Sequence, residues 1–263
     1  MKISIIGCGW LGLPLGKHLA VLGHQVVGST TSEDKFAEIE EAGIKPVLFK
    51  LSPMPLGKAF NVLFDSEIVF INIPPGRKTS PPEYYAEQIK YLKYCIEESG
   101  VKQIIFISST SFYPNTNNVV TKTTPHDFNN GSTKAVVWGE REIEKTTKPL
   151  LILRCGGLMG GNRVPGRWFS GKETKGAETP VNYIHRDEII EVVENLLKEE
   201  LPFKTQGIKN LVSPYHPSRR EVHSATSKRY DFEPPKWIEP AVIPHKIVDS
   251  DFKETGLRSP VDY

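Results

Sequence analysis

The opening of the chain alternates between strand-like and helix-like segments, and this pattern limits the folds available to it. Lys2–Ile6 is a short, apolar and β-branched run, as expected of a buried strand in a parallel sheet. An apolar stretch that ends at Leu22, directly before Gly23, has the character of a helix, and Gln25–Val27 starts a second strand. The order strand, helix, strand predicts a βαβ unit and therefore a parallel sheet covered by helices.

A glycine-rich loop with the sequence GCGWLG joins the first strand to the helix. The spacing G-x-G-x-x-G between a strand and a helix is the signature of a dinucleotide site. Gly7 is expected to permit the tight turn, Gly9 to let the backbone approach a pyrophosphate, and Gly12 to let the helix pack closely on the strand. Trp10 and Leu11 complete the loop, where backbone N–H groups at the helix N-terminus face the phosphates.

Composition excludes several classes of function. The 263 residues include 38% hydrophobic residues, enough for a proper core, and the net charge is only +2. Without a run of Lys or Arg, nucleic-acid binding is not expected. Cys8, Cys95 and Cys155 lack metal-ligand spacing, which indicates reduced thiols and no metal site. Neither a signal peptide nor a membrane-spanning run is evident, so we expect a cytoplasmic protein.

Strands and helices continue to alternate through the first 155 residues. A helix is predicted from Ser80, with Ser80 as its cap, Pro81 in its first turn and Glu83 closing a capping box. The other predicted elements are a helix at 33–42, strands at 45–49, 67–73 and 103–108, a helix at about 133–145 and a strand at 150–154. This pattern predicts the α/β class with a doubly wound parallel sheet.

The pattern loosens after Cys155. Residues 156–178 are rich in glycine and are predicted to form a substrate-side loop region, followed by a helix at 187–198 and a strand at 209–212. Ser218 and Glu221 predict a second capping box, and a proline-rich tail follows. We therefore expect a dinucleotide-binding core at 1–155, completed by about 183–212. A small C-terminal substrate lobe would comprise 156–182 and 213–263.

The end of the second strand bears on the choice of cofactor. NAD sites usually place a carboxylate there to bind the ribose 2′-hydroxyl, but this chain has Ser29, Thr30 and Thr31 and no carboxylate before Glu33. Hydroxyl groups suit a 2′-phosphate, and Lys35 would add positive charge, so the pattern favours NADP over NAD. The alternative is that these hydroxyls cap the next helix. Asn72, Ile73 and Pro74 are expected to line the middle of the cofactor site.

Four separated motifs together resemble the extended and atypical short-chain dehydrogenase/reductases, the NAD-dependent epimerase/dehydratase group. They are the glycine loop, ISSTSFY at 107–113, LRCGGLMG at 153–160 and IHRDE at 184–188. They occur in the family's order over about residues 1–190, although the family more often has G-x-x-G-x-x-G spacing. The resemblance implies a Rossmann fold and an enzyme that couples proton transfer to hydride transfer.

The resemblance also assigns residues to this chemistry. Ser109 falls at the family's catalytic serine position, where its hydroxyl would hold the substrate oxygen, and Ser108 falls beside the cofactor. Lys134 corresponds to the family's helix-start lysine, which binds the nicotinamide ribose and lowers the pKa of a tyrosine four residues before it. Here that position is Asn130, an amide that cannot exchange a proton near neutral pH.

The missing tyrosine leaves several interpretations open. Tyr113 is an alternative acid, although it also suits an aromatic wall of the site, and Thr110, Asn130 and Arg163 are expected substrate contacts. One hypothesis is an NADP-linked oxidoreductase, epimerase or dehydratase that acts on a small polar or sugar-nucleotide-type substrate. A second is a sensor or scaffold that binds NADP without turnover, and a third is a β-hydroxyacid-type dehydrogenase. The sequence does not choose between a monomer and a homodimer.

Overall fold

The computed structural model describes residues 1–76, 80–253 and 255–263. Within them the strands are β1 (Lys2–Ile6), β2 (Gln25–Thr30), β3 (Lys45–Ser52), β4 (Met54–Gly57), β5 (Ile68–Ile71), β6 (Gln103–Ser109), β7 (Val119–Val120), β8 (Leu150–Cys155), β9 (Gly157–Met159), β10 (Glu173–Thr174), β11 (Tyr183–His185), β12 (Gly207–Leu211), β13 (Lys236–Trp237) and β14 (Ile247–Val248). The α-helices are α1 (Gly12–Val21), α2 (Phe36–Glu41), α3 (Pro82–Glu97), α4 (Lys134–Ile143), α5 (Pro165–Trp168), α6 (Arg186–Leu196) and α7 (Arg219–Arg229). None of these helices is long and apolar enough to cross a membrane.

The central sheet has the strand order β12-β8-β6-β5-β1-β2-β3-β4. β1 pairs in parallel with β2 on one side and with β5 on the other, so the winding direction reverses at β1. β2 pairs in parallel with β3, and β5 pairs in parallel with β6, while β4 is an antiparallel edge strand. The predicted α/β class with a doubly wound, Rossmann-type sheet is therefore confirmed. Ligands of such sheets bind where the winding reverses, at the carboxyl ends of the strands.

The second and third strands are longer than predicted. β2 continues to Thr30 because parallel pairing holds Val27, Ser29 and Thr30 against β3. β3 continues to Ser52, where the chain turns back into the unpredicted strand β4. Pairing with a neighbouring strand thus extends both strands beyond their apolar runs: β2 with β3, about 18 residues away, and β3 with β4 in a tight hairpin. The hydroxyl residues Ser29 and Thr30 become strand residues.

The capping prediction for α3 is wrong. The N-cap is Pro81 rather than Ser80, and among the residues that the structure describes no side chain caps this end. The predicted helix at 33–42 is also divided, into a 3₁₀ turn at Glu33–Lys35 and the short helix α2. The second predicted capping box is confirmed, because the Ser218 hydroxyl accepts from the Glu221 N–H and the Glu221 carboxylate accepts from the Ser218 N–H.

The glycine-rich segment 156–178 contains more regular structure than the loop that was predicted. It includes β9, α5 and β10. β9 pairs in parallel with β11, and β10 pairs in parallel with β13, which lies in the proline-rich tail. These strands have two or three residues each, too short for a periodic signal in the sequence.

The chain divides into two compact units. Unit 1 comprises Met1–Ser108, Lys134–Leu153 and Val193–Ile208, and unit 2 comprises Ser109–Thr133, Arg154–Val192 and Lys209–Tyr263. An apolar core of unit 1 lies between the sheet and its helices and includes Phe49, Ile71, Ile89, Leu92 and Phe106. A smaller core in unit 2 is formed by Tyr113, Val120, Val212 and Val248.

Candidate functional site

The glycine loop in unit 1 is held in place by hydrogen bonds to the two neighbouring strands. Gly7 has a φ of +106°, which favours glycine, and its N–H donates to the Ser29 hydroxyl at 2.8 Å. The Cys8 N–H donates to the Ser29 carbonyl oxygen at 2.8 Å. On the other side, the Asn72 side-chain amide donates to the Gly7 carbonyl oxygen at 3.4 Å. The loop is therefore fixed at the point where the sheet reverses its winding.

The three glycines of the loop have different surroundings. A Cβ on Gly7 would lie 2.8 Å from the Asn72 carbonyl oxygen, and a Cβ on Gly12 would lie 2.1 Å from the Gly7 carbonyl oxygen. Both residues are needed for close packing of the backbone. By contrast, a Cβ on Gly9 would meet no atom of residues 1–76, 80–253 and 255–263 within 4 Å. Gly9 thus faces open space, which a phosphate group can occupy against its backbone.

A cavity of about 350 Å³ lies beside this loop in unit 1. The predicted cofactor residues that line it are Gly7, Gly9, Ser29, Thr30, Thr31, Asn72, Ile73 and Pro74. Leu11 is instead a core residue with 2% exposure, and Gly12 begins α1. Trp10, with a half-buried side chain, lies between Gly9 and Leu11 in the loop.

Several lining residues were missed in the sequence. They are Ile6, Cys8, Phe49, Lys50, Leu51 and Gln88. Lys50 and Leu51 belong to the part of β3 that extends beyond the predicted strand, and Gln88 of α3 donates to the Leu51 carbonyl oxygen at 2.7 Å. Lys35 also lines the cavity, and both it and Lys50 are exposed. The alternation of apolar and polar residue types continues through 49–52, and this is the sequence signal that could have extended the strand.

The hydroxyl groups of β2 have structural partners. Ser29 is 3% exposed, and its hydroxyl accepts from the Gly7 N–H. The Thr30 hydroxyl donates to the Ser32 carbonyl oxygen at 3.1 Å and accepts from the Ser32 N–H at 3.3 Å. Thr31 is exposed at the cavity. Ser29 and Thr30 thus shape the cavity mainly by fixing its backbone.

Two of the residues to which the family resemblance assigns a role in the site, Ser108 and Lys134, lie in unit 1. Ser108 ends the unit-1 part of β6, and its hydroxyl donates in a short hydrogen bond to the carboxylate of Glu140, which is fully buried in α4. Lys134 is the exposed first residue of α4.

Ser109 in unit 2 is half-buried and begins the 3₁₀ turn Thr110–Phe112. Its hydroxyl accepts from the Ser111 N–H at 3.1 Å, which leaves its own proton available for donation. The Ser111 carbonyl oxygen accepts from the Thr133 N–H at 2.8 Å, so this turn is tied to the end of the following loop. Thr110 is buried, with 7% exposure.

Tyr113 has no exposed surface. Its hydroxyl donates to the Asn210 side-chain oxygen at 2.6 Å and accepts from the Arg154 guanidinium at 2.8 Å. That guanidinium also lies over the Phe112 ring, 3.5 Å from its centroid. The phenol therefore belongs to a buried polar network within unit 2.

The two remaining predicted substrate residues have local partners. Asn130 is exposed, its side-chain amide donates to the Asp127 carboxylate, and its carbonyl oxygen accepts from the Asn115 N–H at 2.7 Å. Arg163 exchanges two backbone hydrogen bonds with Gly160 and lines a small cavity in unit 2, and burial lowers the pKa of its guanidinium.

Comparison with known proteins gives relatives both in sequence and in structure. The chain is 30% identical over 239 residues to protein YeeZ of Escherichia coli strain K12, which covers 90% of this chain and 86% of YeeZ. No protein-family model matches the chain.

Three solved structures illustrate the structural likeness. UDP-glucuronic acid 4-epimerase from Bacillus cereus in complex with NAD is 15% identical, with a TM-score of 0.76 and coverage of 100% of this chain and 93% of that chain. WbmH from Bordetella bronchiseptica in complex with NAD⁺ is 13% identical, with a TM-score of 0.79 and coverage of 99% and 94%. A functionally unknown conserved protein from Silicibacter pomeroyi DSS is 18% identical, with a TM-score of 0.72 and coverage of 98% and 93%. At these identities the likeness establishes the fold.

Proposed function

The chain belongs to the same family as protein YeeZ of Escherichia coli, and on this premise we propose that it is a nicotinamide-dinucleotide-binding enzyme. Its activity is that of an oxidoreductase, epimerase or dehydratase on a small polar or sugar-nucleotide-type substrate. The observation that carries this proposal is the open space over Gly9, within a glycine loop at the reversal point of the sheet.

The residues of unit 1 fit a dinucleotide. Gly9 leaves room for the pyrophosphate, and the N-terminus of α1 begins three residues later with its N–H groups and partial positive charge. Asn72, Ile73 and Pro74 at the end of β5 line the cavity where the middle of the cofactor would lie. When bound, the dinucleotide supplies or accepts a hydride. Structures of the same fold with NAD bound support this assignment.

NADP is the preferred cofactor in this proposal. Lys35 and Lys50 line the cavity, and within the described part of the chain its lining includes no Asp or Glu. A 2′-phosphate would gain from the two positive charges, whereas a 2′-hydroxyl would find no carboxylate there. Ser29 and Thr30 contribute less than the sequence suggests, because their hydroxyls bind the backbone. NAD is the competing cofactor.

Ser109 is the residue proposed to hold the reacting substrate oxygen. Its hydroxyl accepts one N–H from its own turn and can donate its proton outward. Lys134 is proposed to contact the ribose of the nicotinamide, and Arg163 to contact an anionic substrate group. Tyr113 is not given the acid role, because its phenol is buried and held by Asn210 and Arg154.

Binding is tested with Gly9→Ala. Because a Cβ at this position meets no atom of the described part of the chain within 4 Å, the variant should fold with unchanged thermal stability. The added methyl group would occupy the phosphate position, so the Kd for NADP⁺ and NAD⁺ should rise at least about tenfold. Calorimetric titration measures the affinity. Gly100→Ala is the matched control, because its Cβ also meets nothing and it lies outside the loop. Equal binding by wild type and Gly9→Ala would refute the proposal.

The competing function is an NADP-binding sensor or scaffold without turnover. It is supported by Asn130, which replaces the expected tyrosine and directs its amide to Asp127. Binding of NADPH without its oxidation across carbonyl and sugar-nucleotide panels would favour this function. The β-hydroxyacid-type hypothesis is not carried further, because it requires a long all-helical domain after the sheet, whereas unit 2 includes β9, β11 and β13.

A further inference from the structure

A small cavity in unit 2 lies beside the turn that follows β9. Its volume is about 30 Å³, and its lining includes Gly160, Arg163, His185 and Tyr263. Two backbone hydrogen bonds close the turn, because the Gly160 N–H donates to the Arg163 carbonyl oxygen at 2.9 Å and the Arg163 N–H donates to the Gly160 carbonyl oxygen at 3.0 Å. Arg163 therefore lines the cavity from a fixed backbone.

His185 contributes a second hydrogen-bond donor to the lining. Its Nδ1 accepts from the Asp187 N–H at 3.2 Å, which assigns the proton of the neutral imidazole to Nε2. Burial lowers the pKa of His185, so the imidazole is neutral near neutral pH. A Cβ on Gly160 would lie 2.4 Å from Nε2, so a glycine at this position leaves room beside the donor.

The ring of Tyr263 forms a wall of the cavity. It stacks on the His185 imidazole, with ring centroids 3.9 Å apart and an angle of 3° between the planes. The Tyr263 hydroxyl accepts from the Arg258 Nε–H at 3.0 Å. The buried Glu188 carboxylate accepts from the backbone N–H groups of both His185 and Arg258. The His185 donor is thereby held in place before a ligand binds.

The charges around the cavity suit an anion. Arg163 brings a positive charge, and burial lowers the pKa of its guanidinium. Within residues 1–76, 80–253 and 255–263 no Asp or Glu lines the cavity. A second guanidinium, that of Arg186, lies against the same turn, since a Cβ on Gly161 would be 2.6 Å from its Nη1, and it pairs with Asp187 at 3.4 Å. An anionic group in the cavity would offset the partial burial of the Arg163 charge.

The volume of the cavity limits the anion that fits. A cavity needs roughly 10–15 Å³ to hold one water, so this one holds about two. The two oxygens of a carboxylate can replace two waters, and their planar arrangement matches two parallel N–H groups of a guanidinium. The four oxygens of a phosphate exceed this space. Size and geometry therefore favour a carboxylate over a larger oxyanion.

We propose that this cavity binds the carboxylate of a small organic anion. The Arg163 guanidinium pairs with the two carboxylate oxygens, and the His185 Nε2–H donates a further hydrogen bond to one of them. Gly161, Arg163 and Tyr230 are exposed, so the cavity opens to solvent and the remainder of the anion extends outward. This site rests on the proposed function only through the assignment of Arg163 to an anionic group, and all of its residues belong to unit 2.

The first test measures binding directly and needs no turnover. Protein labelled with ¹⁵N is titrated with sodium acetate at constant ionic strength, with sodium chloride as the balancing salt. The amide resonances of Gly160 and Gly161 should shift and saturate, with a Kd on the order of 1 mM. The ¹⁵N resonance of His185 Nε2 should shift in the same titration, because a carboxylate accepts its proton. Absence of a saturable response at these resonances would overturn the proposal.

Two substitutions test the donors. Arg163→Gln should raise the Kd for acetate at least about tenfold, and His185→Phe, which keeps a ring against Tyr263, should raise it about three- to tenfold. Because Arg163 is exposed, its variant should keep the wild-type melting temperature. Arg167→Gln is the matched control, since Arg167 is an exposed arginine outside this cavity's lining. Equal losses of affinity in the two arginine variants would indicate a general charge effect and overturn the proposal.

Competition separates a carboxylate from other oxyanions. Inorganic phosphate should bind at least about tenfold more weakly than acetate, because its four oxygens exceed the cavity. Tighter binding of phosphate than of acetate would overturn the assignment to a carboxylate.

The molecule that bears the carboxylate is identified by turnover. If it is the substrate, a carbonyl compound should lose kcat/KM at least about tenfold as its methyl ester, and Arg163→Gln should remove that difference. If the difference survives in Arg163→Gln while acetate binding is lost, the carboxylate belongs to a separate small acid. Both results uphold the carboxylate site.

Acetate binding and dinucleotide binding fail independently. Saturable acetate binding by a protein that binds neither NADP⁺ nor NAD⁺ would refute the proposed function and support the carboxylate site. Dinucleotide binding without a saturable acetate response would overturn the carboxylate site alone.

Discussion

From the sequence, Tyr113 and Ser109 are equally good candidates for contact with the substrate, because both lie at or just after the end of β6. The two residues differ in how deeply they are buried. Tyr113 has no exposed surface, whereas Ser109 is half-buried and its hydroxyl accepts from the Ser111 N–H. A phenol between Asn210 and Arg154 stabilises unit 2, because each partner would otherwise be a buried polar group lacking one hydrogen bond.

Tyr113→Phe should therefore reduce stability more than catalysis. Loss of the phenol oxygen is expected to lower the free energy of unfolding by about 1–3 kcal/mol, measured by urea denaturation. Tyr84→Phe is the control, because its hydroxyl contacts an exposed serine and its loss should cost less than about 0.5 kcal/mol. A Tyr113→Phe protein of normal stability but without activity would contradict this interpretation.

A single substitution at Lys50 tests whether the protein prefers NADP to NAD. Lys50→Glu would replace a positive charge beside the proposed 2′-phosphate with a negative one. The Kd for NADP⁺ should rise about tenfold, and the Kd for NAD⁺ should change much less, as measured by calorimetry. Lys45→Glu, at the start of the same strand and outside this cavity's lining, is the matched control. An equal effect on both dinucleotides would remove the preference for NADP.

Helix starts illustrate what can be predicted at the scale of elements. Both α3 and α7 are preceded by a serine that is followed three residues later by a glutamate, the pattern that predicts a capping box. α7 has one, with Ser218 and Glu221 reciprocally bonded. α3 lacks one, because the chain starts the helix one residue later, with Pro81 as its N-cap. A capping pattern indicates that a helix begins nearby, but the register of the first turn depends on how the helix packs.

The substitutions Ser218→Ala and Ser80→Ala test the difference between the capped start of α7 and the start of α3. Loss of the Ser218 hydroxyl should lower the free energy of unfolding by about 1 kcal/mol, because the Glu221 N–H loses its acceptor. Ser80→Ala should change it by less than about 0.5 kcal/mol, since Ser80 does not cap α3. Chemical denaturation measures both values. Equal losses would mean that Ser80 also acts as a cap in solution.

At the scale of the whole molecule, a buried histidine should make the stability of the fold depend on pH. His223 of α7 is fully buried, and burial together with the nearby Arg219 lowers its pKa to about 4. Its neighbours form an aromatic cluster made of Trp168, Phe169, Tyr183 and Trp237. In the unfolded chain a histidine titrates near about 6.5, so between about pH 6.5 and 4 the unfolded state binds a proton that the folded state does not. Stability should therefore fall as the pH decreases through this range.

His223→Gln should flatten this dependence. Without the imidazole, the free energy of unfolding should fall less steeply between pH 6.5 and 4.5, as measured by urea denaturation at several pH values. The variant is also expected to be less stable at pH 7, because it disturbs the aromatic cluster. His216→Gln is the control, since it removes an imidazole from the same unit without touching the cluster. An unchanged slope in His223→Gln would show that other groups cause the acid sensitivity.

The sequence alone determined the βαβ opening, the glycine loop and the doubly wound class, because apolar periodicity and glycine spacing are properties of neighbouring residues. Tertiary structure decided what individual side chains do. Ser29 holds Gly7 from 22 residues away, and Lys246 reaches Tyr113 across 133 residues. Such pairs form only when distant segments pack, and no local pattern encodes them. For the same reason, the two compact units are each assembled from three separate stretches of chain.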